Sequence, residues 1–195
     1  MRNKILISTL LLTLSSNLVA FDLSSLVSTS NNLAFVSAKP AAPGKFRYTF
    51  PEINLLDQKN QYVSLDSLFK SDKNVVFAFF FTHCVTVCTT VTLSLKSIQP
   101  QLPEGTIIAM ISIDPLTDTP AELEKYAKQH RIDDPNWFLL TGDNKEIEDF
   151  QRSFEAYRGN KMNHSTSLFV KQADSEIVTE VKSNFSNIPL LLNNS

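Results

Sequence analysis

Cys84 and Cys88 are the only cysteines in the 195-residue chain, and they stand four positions apart within NVVFAFFFTHCVTVCTT. Ahead of them, Val75 to Phe81 is an unbroken apolar run rich in β-branched and aromatic residues, the pattern of a strand buried on both faces. Behind them, Val91, Leu95 and Ile98 recur at helical spacing until Pro100 ends the pattern. The two thiols are therefore expected where a central strand ends and a helix begins. The unpaired N–H groups and positive dipole end of a helix N-terminus favour a thiolate over a thiol. Cysteines at i and i+4 share a helical face, with Cβ atoms about 5–6 Å apart. Two soft sulfurs so placed suit a soft ion such as Cu(I). They also close a disulfide if the first turn relaxes, since that bond wants Cβ atoms nearer about 3.8 Å. The residues alone leave three readings open: a metal site, a redox pair, or both.

The start of the chain reads as an export signal over residues 1–20. Arg2 and Lys4 form a positive n-region, Ile5 to Leu14 a short apolar h-region, and Ala20 a small residue for cleavage. The apolar run is short for a membrane span, which needs about 20 residues, and Ser15, Ser16 and Asn17 interrupt it. Export to the periplasm is expected, with an uncleaved inner-membrane anchor as the alternative. Removing the signal takes away Arg2 and Lys4 and no acid, so the formal charge moves from 18 − 20 = −2 to 16 − 20 = −4. A mildly acidic protein with no basic stripe is a poor fit for nucleic acid or an anionic membrane surface.

Residues 21–45, low in charge and rich in Ser, Asn, Ala and Pro, read as a tether. Residues 46–195 then suit one domain. A core of that size needs no disulfide staples, and a bridge across so small a loop would constrain the unfolded chain little. The cysteines are thus read as chemical rather than structural.

The elements that must position them alternate. Two short runs around Asp57–Asn60 predict a β-hairpin, and Asp66 to Phe69 a single helical turn. After the cysteine helix, Thr106 to Asp114 predicts a second buried strand. Thr119, Pro120 and Glu122 form a capped helix start, and that helix runs to about His130. Trp137 to Leu140 is a short strand, and Asp143 with Glu146 starts a helix ending near Tyr157. Ser167–Lys171 and Glu176–Val181 predict two strands joined at Ala173–Ser175, and Ile188 to Leu192 a final helical turn. Strands alternating with helices, then a terminal strand pair, imply an α/β fold: a thioredoxin-like mixed sheet flanked by helices, with an extra N-terminal β-hairpin.

Several segments in this order resemble the SCO/SenC family of thioredoxin-like copper-binding proteins. They are Phe81-Thr82-His83-Cys84 with Cys88, Ser112-Ile113-Asp114-Pro115, Asp118-Thr119-Pro120, Leu140-Thr141-Gly142, and His164-Ser165-Thr166. The resemblance covers roughly residues 50–181. It implies that Cys84, Cys88 and His164 bind copper, as Cu(I) and, with added ligands, Cu(II). It also implies a partner: the copper-site subunit of cytochrome c oxidase, or another envelope copper or thiol protein. The family role is to deliver copper there or to keep the copper-site cysteines reduced. Family members place proline after each cysteine and an aspartate between them, where this chain has Val85, Thr89 and Thr86. Without those prolines the backbone φ is no longer fixed at about −65° beside each thiol. Without the aspartate a negative charge beside the thiols is lost, which favours their thiolates.

A second function class is a thiol–disulfide oxidoreductase or redox sensor without copper, with Cys84 attacking and Cys88 resolving. The extra residue between the cysteines, and the lack of any proline between Pro135 and the strand at Ser167, set it apart from ordinary Cys-x-x-Cys oxidoreductases. A peroxidase is disfavoured because the Pro-x-x-x-Thr-x-x-Cys pattern is missing before Cys84. A binding module that keeps the fold without metal is the remaining alternative. Among the other residues, His83 is expected to point away from the thiols. Asp114 and Asp118 read most simply as turn and capping residues after a strand, with a place near the site at the sheet's C-terminal edge as the alternative. Met162 reads as packing, with a thioether ligand to copper as the alternative.

Overall fold

The computed structural model describes residues 37–42, 44–49, 52–70, 72–84, 87–164 and 166–193. The export signal, residues 21–36 of the tether, and Val85 and Thr86 between the cysteines lie outside the described residues.

Two apolar runs form the middle of the molecule. The Val75 run becomes β5 (Val75–Phe80) and the Thr106 run becomes β6 (Ile107–Ser112), with all residues of both strands buried. They pair in parallel, Val75 opposite Ile107 through Phe80 opposite Ser112, so their C-terminal ends lie side by side. β7 (Trp137–Thr141) continues the parallel set beside β6. The predicted hairpin is β3 (Asn54–Asp57) and β4 (Tyr62–Ser64), which pair with each other and join the sheet through β7. On the other side, β8 (Leu168–Lys171) pairs antiparallel with β5, and β9 (Ile177–Val181) with β8. β1 (Ser37–Ala42) and β2 (Lys45–Thr49) complete a nine-stranded mixed sheet in the order β1-β2-β9-β8-β5-β6-β7-β3-β4.

The two-residue side-chain period of a strand sorts the core into two layers. Val76, Ala78 and Phe80 of β5, with Ile108 and Met110 of β6, face α2 (Val87–Ile98), α3 (Pro120–His130) and α5 (Ile188–Asn193). Val75, Phe77 and Phe79, with Ile107 and Ile111, face α1 (Leu65–Phe69) and α4 (Asn144–Ser153). This second layer is aromatic: Phe77 stacks on Phe169 at 4.9 Å between ring centres, and Phe154 stacks on Tyr48 at 5.0 Å. Edge and offset ring pairs of this kind add to the area they bury. Cys84 and Cys88 belong to the first layer.

Two expectations are corrected. Part of the stretch read as a tether, Ser37–Ala42, is strand β1, paired with β2 around Gly44, whose φ is +69°. Pro40 pairs with Phe46, and the ladder register shifts between Pro40 and Ala42. A proline lacks a donor and is tolerated on an edge strand, which is why composition alone suggested a linker. The helix begun at Asp143 ends at Ser153, short of Tyr157, because Glu155 takes a left-handed φ of 54°. That shorter helix leaves the segment 154–164 free to turn back toward the end of β5 and β6.

Candidate metal centre

The site is assembled at the C-terminal ends of β5 and β6. Past β5 the chain turns sharply, with the Cys84 amide donating to the Phe81 carbonyl at 3.2 Å. Cys84 thus precedes α2 in a turn, and Cys88 lies in the first turn of that helix. The Cys88 amide donates to Cys84 Sγ at 3.4 Å, so the sulfur serves as the acceptor that a capping oxygen usually supplies. Thr92 Oγ1 donates to the Cys88 carbonyl at 2.9 Å and lies 2.7 Å from the Tyr126 hydroxyl, tying the helix start to α3.

Asp118, fully buried, holds the turn. It accepts from the Thr82 amide at 3.0 Å, from Thr82 Oγ1 at 2.5 Å and from Ser112 Oγ at 2.6 Å. Ser112 Oγ in turn accepts from the Asp114 amide at 3.0 Å. The reading of Asp118 as a simple turn residue is therefore too modest: it clamps the cysteine turn to the end of β6. The available signal was a polar Ser112 ending an apolar strand, with an aspartate six positions on.

His164 arrives from the far side of the sequence. A 3-10 turn over Lys161–Asn163, capped by Asn160 Oδ1 accepting from the Met162 amide at 2.9 Å, presents it. The His164 amide donates to the Lys161 carbonyl at 3.3 Å. Lys161 Nζ pairs with Asp114 Oδ2 at 2.6 Å and lies 5.6 Å from the centre of the Phe81 ring. Phe81 packs edge-on against the imidazole at 5.4 Å. The result is three ligand atoms in one place: His164 Nε2 is 3.5 Å from Cys88 Sγ and 3.9 Å from Cys84 Sγ, and all three lie within 4.8 Å of one another. His83, exposed, turns its Nδ1 toward Thr82 Oγ1 at 3.0 Å and is not among them.

The donor set fits a soft ion. Metal–nitrogen and metal–sulfur bonds of about 2.0–2.3 Å separate neighbouring ligand atoms by about 3.3–4.0 Å around a three- or four-coordinate centre. The two distances to His164 Nε2 fall in that range without rearrangement. Two sulfurs and an imidazole are ligands of the type Cu(I) prefers.

The electrostatics correct one expectation. A strand–helix junction was expected to favour thiolates, yet burial pushes the Cys88 thiol well above the ordinary cysteine range. A hydrogen bond with the Phe81 backbone works the other way, while Cys84 and Asp118 add to the rise. Cys88 has no exposed surface and Cys84 only 8%. Loss of solvation outweighs the helix terminus here. Next to His164 opens a cavity of about 350 Å³, whose walls include Ile113, Gln151, Tyr157 and Lys161. The imidazole side of the site faces this cavity.

Known proteins share this fold. The fold matches a SCO1/SenC family lipoprotein from Bacillus anthracis str. Ames, with TM-score 0.66 and 21% identity over 79% of this chain and 98% of that one. It also matches copper-bound ScoI of Bradyrhizobium japonicum, with TM-score 0.58 and 25% identity over 72% and 92%. BsSco, a member of the Sco family of cytochrome c oxidase assembly proteins with a disulfide switch, matches with TM-score 0.63 and 25% identity over 76% and 93%. In sequence, a SCO1 protein homolog of Bacillus subtilis (strain 168) is 30% identical over 145 residues, 68% of this chain and 73% of the relative. The SCO1/SenC family model matches residues 44–191, and the chain belongs to that family.

Proposed function

We propose that Cys84, Cys88 and His164 hold a copper ion, and that the protein delivers copper to, or keeps reduced the copper-site cysteines of, a respiratory cytochrome c oxidase. One observation carries the reading: an imidazole 76 residues beyond Cys88 in sequence closes on both sulfurs at bonding geometry. Copper in the Bradyrhizobium relative and oxidase assembly in the BsSco family support it. Location in the periplasm follows from the export signal at residues 1–20, with anchoring to the inner membrane as the alternative. The lipoprotein among the relatives supports an envelope site.

The test is Cu(I) binding by the reduced protein in competition with a chromophoric chelator. One equivalent held by wild type, and lost in Cys84→Ser and Cys88→Ser, is the expected result. His164→Ala should weaken binding by about 10–100-fold. Wild-type affinity in His164→Ala, with both thiols reduced, would refute the three-ligand set.

A second reading, a redox switch of Cys84 and Cys88, is favoured by the disulfide switch described for BsSco and by the proximity of the two sulfurs. Closing the bridge passes two electrons and two protons to a partner disulfide. The raised Cys88 thiol makes it a slow attacking group, which leaves Cys84 as the nucleophile. Turnover of a model disulfide no faster than free dithiol would dismiss a general reductase.

A further inference from the structure

The cavity of about 350 Å³ beside His164 lies at the small end of the range for ligand sites, about 300–1,000 Å³. Part of its wall is one face of α4, where Ile147 and Gln151 stand one helical turn apart. Gln151 is the residue that the fold leaves unexplained. Its side chain is only 6% exposed, yet the amide makes no hydrogen bond among the described residues. Nor is it among the sealed polar atoms that lack a partner. It therefore borders open space, and the space it lines is this cavity. A buried polar group with no partner costs about 1–3 kcal/mol, which a ligand's hydrogen bond offsets.

The charges along the same wall cancel, with one exception. Glu148 pairs with Arg152 at 2.6 Å, and Lys161 pairs with Asp114 at 2.6 Å. Arg158 donates through Nη1 to the backbone carbonyls of Glu155 and Tyr157. It meets no carboxylate at ion-pair distance among the described residues. Its Nε and Nη2 donors stay available, and a guanidinium matches a carboxylate in geometry as well as charge. The start of α4 adds no anion site of its own, because Asp143 already accepts from the Lys145 and Glu146 amides. One uncompensated cation and one open amide, beside the apolar Ile147, select a singly charged organic ligand over phosphate.

We propose that this cavity binds a small organic carboxylate that also carries an amide, of the size of an acylated amino acid. Its carboxylate sits on Arg158 and its amide on Gln151. His164 lines the same cavity, so the ligand reports at the imidazole. Binding needs no metal and stands apart from the copper reading.

The experiment titrates N-acetyl-leucine into the full-length reduced protein, without metal, and follows the imidazole proton signals of its three histidines. The His164 signal, identified by its loss in His164→Ala, should shift saturably with a Kd below about 1 mM. Arg158 is exposed, so Arg158→Gln removes the charge without touching the core. Gln151→Met keeps the length and burial of the side chain and removes the amide. Each should weaken binding about tenfold, as should replacing the probe by uncharged N-acetyl-leucinamide. A His164 signal unmoved at about 10 mM probe, wild-type affinity in either variant, or equal binding of the amide probe overturns the proposal. Tighter binding of inorganic phosphate than of N-acetyl-leucine overturns it as well.

Discussion

Asp118 gives the sharpest quantitative test of how the site is built. Its carboxylate accepts three hydrogen bonds, from the Thr82 amide, the Thr82 hydroxyl and the Ser112 hydroxyl, and it has no exposed surface. Asp118→Ala would remove the acceptor of three donors: the Thr82 hydroxyl keeps His83 Nδ1 beside it, while the half-buried Thr82 amide and the buried Ser112 hydroxyl lose their partner. Each orphaned group costs about 1–3 kcal/mol, and the two hydroxyls recover part of this by rotating. The expected loss is about 3–5 kcal/mol, a large share of the roughly 5–15 kcal/mol that holds a domain together. Asp118→Asn keeps the shape and one acceptor oxygen, and should cost about 1–2 kcal/mol. Urea unfolding measures both, with the single tryptophan, Trp137, as a buried fluorescence probe. Because Thr82 stands two positions before Cys84, Cu(I) affinity should fall in the same order. An Asp118→Ala variant within about 0.5 kcal/mol of wild type would refute the clamp and the burial argument behind it.

Two further expectations follow from the same structure. A Cβ placed on Gly142 would lie 2.5 Å from Cδ2 of the fully buried Leu55, so Gly142→Ala should destabilise by about 1–3 kcal/mol through overpacking, and an unchanged urea midpoint would contradict it. Burial keeps Cys88 protonated through the neutral range, so Cu(I) must displace that proton. Apparent affinity should therefore rise with pH by about tenfold per unit for each thiol ligand still protonated, and the rise should continue above about pH 9, past the ordinary cysteine range; a profile flat above about pH 9 would refute the raised thiol.

Much of the architecture was legible before any coordinates. The apolar runs at Val75 and Ile107 became the central parallel pair, and the Asp57–Asn60 turn joined a hairpin. Thr119 and Asp143 cap their helices through side-chain oxygens, as their spacing from Glu122 and Glu146 implied. These are local signals: strand and helix periods and capping patterns act over a few residues, so a few residues reveal them. β1 was misread because proline and small residues look alike in a linker and on a sheet edge.

The cysteine pair and its soft-ligand chemistry belonged to the sequence alone, as did the strand–helix junction that carries it. His164 was also named from sequence, though only through a family likeness. Its approach to the sulfurs is set by contacts between distant segments, Lys161 with Asp114 and His164 with Phe81, that no window of sequence contains. Tertiary structure alone decided which of the local electrostatic tendencies prevails. The helix terminus at Cys88 speaks for a thiolate, but the layer of α2 against the sheet removes the water that a charge needs, and the thiol keeps its proton. It likewise turned Asp118 inward as an acceptor and left Met162 in solvent, because burial is a property of the packed whole rather than of the residue.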